Sequence, residues 1–239
     1  MKKQMKKPLK ILCVVIAAIV ALPALFIAFL TAAEYRPEKT EAAVFISRDG
    51  AARPARGETI TVAAWNIGYA SLDAGQDFFM DGGKRVRPES GSRVRENLAG
   101  IRDYIAAAGA DAVLIQEADR NSYRSYYVDQ AGALAESFGG TAVFAPNFRC
   151  VFVPFPVPRF IGPVDSGLLS MSRFADAGAE RFGLTVPFKW PVRIANLKRC
   201  LLVERVPVEG AGADLVLVNL HLEAYDSGGG RETQTRELL

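Results

Sequence analysis

The sequence has one histidine, three cysteines and no acidic residue before Glu34. It shows no internal repeat, and its composition, half hydrophobic and under a quarter charged, excludes a disordered chain. A lone imidazole, His221, is more often structural than catalytic, so composition assigns it no role. Positive charge is also scarce where it would matter. Of the 29 basic residues, Lys2, Lys3, Lys6, Lys7 and Lys10 precede the first apolar run, and the remaining 24 face 26 acidic ones. A non-specific nucleic-acid binder needs a basic surface to displace counterions, so the balance after residue 33 disfavours a general nuclease. The local cluster Lys84, Arg85, Arg87, Arg93 and Arg95 is the one feature in its favour.

What the chain does have is an uncharged run at 11–33, ILCVVIAAIVALPALFIAFLTAA. It exceeds the about 20 residues a helix needs to cross a bilayer, and Pro23 is tolerable there. The preceding lysines place that end in the cytoplasm and the rest of the chain outside. An uncleaved anchor is expected, since the run is longer than a signal-peptide core, although Thr31-Ala32-Ala33 resembles a cleavage site. Cys13 lies within the run and lacks a lipoprotein-like context. Export would permit a Cys150–Cys200 disulfide, but distance along the chain says nothing about distance in space; two buried free thiols are expected.

Three segments follow: 1–33 as cytoplasmic lysines and anchor, 34–57 as a polar linker, and 58–239 as the folded domain. Ile60–Trp65 reads as a strand, and 66–91 as a long loop. A helix follows, capped by Ser92, with Val94, Leu98, Ile101 and Ile105 at helical spacing and Gly109 closing it. Ala112–Gln116 suits a strand buried on both faces. A second helix is expected over Ser122–Phe138, then strands at Thr141–Ala145, Gly167–Met171, Cys200–Val206 and Leu215–Leu222. The intervening stretch Pro146–Pro163 reads as a loop whose Phe148, Phe152, Phe155 and Phe160 could touch a membrane, line a groove or pack over a sheet edge. Alternating elements followed by strands indicate an α/β or α+β fold.

Apolar strands end in polar residues at three places: Asn66, Glu117, and the run Asn219-Leu220-His221-Leu222-Glu223. In the last, alternation puts Val216, Val218, Leu220 and Leu222 on one face and Asn219, His221 and Glu223 on the other. An amide, a carboxylate and an imidazole at strand ends suit a hard divalent cation beside a phosphate. Each also has a plain structural reading, and spacing alone does not decide between them.

The ordered series Ala64-Trp65-Asn66-Ile67-Gly68, Ala112-Val113-Leu114-Ile115-Gln116-Glu117, Ser166-Gly167-Leu168-Leu169-Ser170-Met171-Ser172-Arg173 and Val218-Asn219-Leu220-His221-Leu222 resembles the first four motifs of the endonuclease/exonuclease/phosphatase family. The resemblance covers 58–239. It implies a four-layer α/β sandwich, two packed β-sheets flanked by helices, with the active site at one end of the sheets. It further implies Mg²⁺ (or Mn²⁺) at Glu117 with Asn66 beside it, catalytic roles for Asn66, Asn219 and His221 around the scissile phosphate, and a close approach of Ser166 and Gly167. An Arg or Tyr from Tyr123–Tyr127 could contact phosphate, or that segment could simply begin a helix.

The family's later Gly-Asp-Phe-Asn and Ser-Asp-His motifs are missing, and the sequence stops in what reads as an amphipathic helix at 231–239. The expectation is therefore a C-terminally incomplete fragment, itself inactive, of a membrane-anchored, exported, metal-dependent hydrolase of phosphate esters. Its substrate would be a lipid head group, a small phosphodiester or nucleic acid, with the first two favoured. The alternative is a non-catalytic, membrane-displayed binding module on the same fold.

Overall fold

A computed structural model of the protein describes residues 7–224 and 229–239; Lys2, Lys3 and Lys6 therefore lie outside the described residues. The apolar run forms helix α1 (Lys7–Ala32), which continues through Pro23 and leaves every residue but Leu30 at least partly exposed. It is long and apolar enough to cross a membrane, with a mean hydropathy of 3.0 over its best 18 residues.

Nine strands follow: β1 (Thr40–Ala42), β2 (Val44–Arg48), β3 (Val62–Asn66), β4 (Ala112–Asp119), β5 (Thr141–Val153), β6 (Gly162–Ser172), β7 (Gly178–Gly183), β8 (Cys200–Val206) and β9 (Leu215–Leu220). Three helices join them: α2 (Gly91–Ala108), α3 (Gln130–Phe138) and α4 (Gly229–Arg236). One sheet runs β2-β5-β6-β4-β3 and the other β1-β7-β8-β9. Only β3 and β4 pair in parallel, because α2 supplies the crossover that parallel neighbours require.

The sheets pack face to face, with Val143, Ala145 and Leu168 of one meeting Ala179, Cys200 and Leu202 of the other. Glu204 of β8 is fully buried, where Ser172 Oγ donates to its Oε1 at 2.8 Å. On the outer face of the five-stranded sheet, Val94, Leu98, Ile101 and Ile105 of α2 and Ala131 and Leu134 of α3 cover Val113, Ile115, Phe144 and Leu169. The outer face of the other sheet presents Val216, Val218 and Leu220, 43%, 41% and 36% exposed. In β9, then, Asn219 faces inward in line with Leu217, while Val216, Val218 and Leu220 face outward. The architecture is the expected α/β sandwich of two sheets flanked by helices.

Several boundaries differ from the sequence reading, each for a local reason. The supposed linker supplies an edge strand to each sheet, with Thr40–Ala42 on β7 and Val44–Arg48 on β5; the short apolar run Val44-Phe45-Ile46 is masked by the polar stretches around it. Helix α2 is capped by Ser90, whose Oγ accepts from the Arg93 amide at 3.2 Å, and not by Ser92. The helix expected over 122–138 is broken, because Tyr126 and Tyr127 take left-handed φ of 55° and 59°. Asp129 then caps the shorter α3. Strand β5 runs on through Pro146, where a bulge against β6 absorbs the missing donor, so much of the supposed loop is sheet. Strand β9 ends at Leu220, two residues short of the sequence reading, so His221 and Glu223 follow it. Cys150 and Cys200 are buried free thiols.

Candidate functional site

Strands β3 and β4 run parallel and end together, with Asn66 opposite Gln116. One step further, the β4–β6 register slips between Ile115 and Ala118, and Glu117 sits in that bulge at φ 58°. A left-handed backbone at a non-glycine residue is strained, and such bulges re-aim side chains beside functional sites. Here the strain delivers the Glu117 carboxylate to its neighbours. Asn66 Nδ2 donates to Glu117 Oε1 at 3.1 Å while Asn66 Oδ1 accepts from the Gly68 amide. His221 Nε2 lies 3.7 Å from Glu117 Oε1. Three residues separated widely in sequence thus meet at one end of the sheets.

Asn219 does not join them. Its Nδ2 donates to the carbonyls of Ile115 and Leu169 at 2.9 and 3.1 Å, and its Oδ1 accepts from Gln116 Nε2 at 2.7 Å. The side chain is consumed in bracing β9 against β4 and β6, and its effect on the site is to hold the strand from which His221 emerges.

Around the trio lie polar groups to which the sequence assigned no role. Arg199 and Glu223 form a buried ion pair at 3.4 Å. Glu223 is steadied by α4, since its amide donates to Oε1 of the fully buried Gln234, whose Nε2 reaches the Thr185 carbonyl. Burial, followed by the neighbouring Arg199 guanidinium, lowers the His221 pKa to about 4 against the opposing pull of Glu117 and Glu223; the imidazole is neutral near pH 7. Among the described residues, Arg199 Nη1, Asn147 Nδ2 and His221 Nδ1 are buried without a hydrogen-bond partner. Such groups are costly to bury unpaired. Alternation alone placed Glu223 beside His221; Arg199 and Asn147 stand outside any motif.

A cavity of about 590 Å³ has Glu117, Arg124, Asn147, Ser166, Arg199 and Glu223 on its polar wall. Within it, Arg124 is already committed. It pairs with buried Asp119 at 2.9 and 3.1 Å, donates to Ser166 Oγ and stacks over the Tyr69 ring at 3.8 Å. Burial opposes its charge, but Asp119 outweighs burial and raises its pKa. Ser166 therefore reaches the cavity wall, while Gly167 serves packing, a Cβ there falling 2.3 Å from the Ala145 carbonyl. The basic cluster is partly neutralised: Arg85 pairs with Glu89 and Arg93 with Asp73. Arg87 stacks on Tyr123 and Tyr126.

No group of three His, Cys, Asp or Glu side chains converges among the described residues. Mg²⁺ does not require one, since it keeps several waters and commonly takes one or two carboxylates plus substrate phosphate. Glu117, held out on its bulge with an amide beside it, fits that mode.

No family model matches the sequence, and no curated protein does. Solved structures do resemble it. The endonuclease/exonuclease/phosphatase from Beutenbergia cavernae DSM 12333 superposes with a TM-score of 0.50 at 23% identity, over 75% of this chain and 43% of that one. An endonuclease/exonuclease/phosphatase family protein from Leptotrichia buccalis C-1013-b gives 0.46 at 15% identity, over 75% and 63%. The human Nocturnin catalytic domain with bound sulfate gives 0.45 at 17%, over 82% and 60%. The chain spans less than two thirds of each of these structures. The first likeness establishes that this chain has the endonuclease/exonuclease/phosphatase fold, bearing out the resemblance read from its four motifs.

Proposed function

We infer that the protein is a membrane-anchored, exported hydrolase of phosphate esters, of phosphodiesterase type, that works with Mg²⁺ or Mn²⁺. The observation that carries this reading is the pair of buried donors without partners, Arg199 Nη1 and Asn147 Nδ2, in the same cavity wall as Glu117. Donors left unpaired in a cavity wall are well satisfied by an oxyanion, and preorganised donors stabilise charge that develops on a phosphoryl group.

In this reading Glu117, with Asn66 beside it, holds the cation, which when bound supplies Lewis-acid stabilisation and orients the ester. Arg199 and Asn147 bind non-bridging phosphoryl oxygens. Glu223 keeps the Arg199 guanidinium in place, and Gln234 keeps Glu223 in place. Neutral His221, whose Nε2 faces Glu117 at 3.7 Å, offers that nitrogen to the phosphate or to the departing oxygen. Water forms the new P–O bond as the ester P–O bond breaks, and its proton ends on the leaving alkoxide. The base for that water is assigned to none of these residues, so the test below reads binding of the phosphate and the cation.

Titration of the full chain in detergent with inorganic phosphate, followed by ³¹P NMR with and without Mg²⁺, tests this. Expected is Mg²⁺-dependent binding weakened by at least about tenfold in Arg199→Gln, the loss of one charged hydrogen bond. Phosphate binding that ignores both Mg²⁺ and Arg199 would sink the assignment.

A further inference from the structure

The cavity beside Glu117 is polar only at that end. Its remaining wall is mostly apolar, and part of it belongs to α1: Phe26, Ile27 and Leu30 line it together with Phe79, Phe155 and Phe188. The helix is not a loose tether. Leu30 is 5% exposed, and the Phe26 ring meets Phe152 edge-on at 6.0 Å. Trp190 Nε1 donates to Thr31 Oγ1 at 3.2 Å. Just past the helix, the buried Glu34 carboxylate receives Lys198 Nζ and Arg193 Nε at 3.2 and 3.3 Å. The final turns of α1 are therefore built into the domain.

This placement fixes the height of the cavity. At about 1.5 Å rise per residue, Phe26 stands roughly 9 Å inside the C-terminal end of α1, a helix of about 39 Å. The uncharged part of the helix from Ile11 to Ala32 is about 33 Å long and matches a hydrocarbon core of about 30 Å, so in a membrane-anchored protein the apolar wall would lie at the outer edge of the leaflet. The nearby loops suit that level, since Phe155, Val157, Trp190 and Val192 are 60%, 75%, 56% and 56% exposed, and aromatic and aliphatic side chains favour the membrane boundary. An apolar cleft of this size standing open to water is unfavourable. Its volume matches that of a small-ligand pocket, and one end is continuous with the helix while the other holds the unpartnered Arg199 and Asn147 donors.

We propose that the substrate is a phosphate ester of a bilayer lipid, which slides past α1 so that an acyl chain fills the apolar cavity and its phosphate meets Glu117, Asn147 and Arg199. This rests on the phosphate-ester reading above and adds the substrate class and its route. Polymeric nucleic acid needs neither an apolar cavity nor a helix in its wall.

The test uses the full chain in phosphatidylcholine vesicles containing a phosphatidylcholine with a diazirine midway along one acyl chain. After illumination, tryptic peptides are mapped by mass spectrometry. Expected are adducts on α1 and also on the segments holding Phe79 and Phe188, with the latter lost in the cavity-filling variant Ala195→Trp while the α1 adducts persist. Adducts confined to α1 in the parent protein would overturn the proposal and leave the phosphate-ester reading to stand with a soluble substrate. A photoreactive diacylglycerol separates the other failure. Equal labelling of the cavity by that lipid and by the phosphatidylcholine, the latter insensitive to Arg199→Gln, would overturn the proposed phosphate placement, while the inorganic-phosphate titration above decides the phosphate-ester reading separately.

Discussion

Glu117 carries the tension between function and stability at the scale of one residue. Its left-handed backbone is a conformation glycine adopts freely and glutamate does not. Glu117→Gly is expected to unfold within about 1 kcal/mol of the parent protein, because relief of strain offsets added backbone freedom. The same change at Gln116, an ordinary strand position bonded to Asn219, should destabilise clearly. Thermal unfolding of both variants checks the contrast, and only Glu117→Gly should lose Mg²⁺-dependent phosphate binding. Glu204 gives a second residue-scale expectation. Burial raises its pKa from 4.5 to about 6. The folded state thus holds the proton more tightly than the unfolded state, and stability is lost as pH rises from 4.5 through 6. Glu204→Gln should therefore be the more stable protein at pH 7.5, by about 2 kcal/mol, and the gain should vanish below pH 4.5. A gain independent of pH would show that packing, not ionisation, is responsible.

At the scale of elements, β8 and β9 pair so that Leu202 and Asn219 face the other sheet, while Val203, Val218, Leu201 and Leu220 lie on the outer face. Leu202→Ala should cost about 2–5 kcal/mol in denaturant unfolding, whereas Val218→Ala on the exposed face should stay within about 0.5 kcal/mol. The cap of α2 is a comparable test: Ser90→Ala should cost about 1 kcal/mol and Ser92→Ala little. Such elements also mark how far the sequence could be read. Strand ends bearing Asn66, Glu117 and His221 were legible because a polar residue closing an apolar run is a local signal. The break before α3 was not, since two tyrosines in left-handed conformation carry no compositional warning. The edge strands at 40–48 were hidden by their shortness and by the polar stretch around Val44-Phe45-Ile46, and which face of β9 turns inward is decided by the opposing sheet, not by the alternation within the strand. Arg199, Asn147 and the cavity were illegible for a related reason: their neighbours are drawn from residues 26 to 223, and no local pattern spans that distance.

For the whole molecule, the junction at Glu34 joins α1 to the domain. Burial opposes ionisation of this carboxylate, but Lys198, Arg36 and Arg193 overcome it and lower its pKa. Glu34→Gln should loosen the junction, so limited proteolysis between residues 33 and 40 should accelerate while the sheets remain resistant. Equal cleavage of parent and variant would assign the junction to the aromatic contacts of Phe26 and Trp190 instead. Because the helix end is part of the cleft wall, anchoring that helix in a bilayer would confine diffusion as well as the protein. On the proposed lipid-ester reading, a catalyst held in this way would sample a plane and not a volume, so its occupancy would follow the mole fraction of a lipid among its neighbours and be indifferent to how much bulk solution surrounds the membrane.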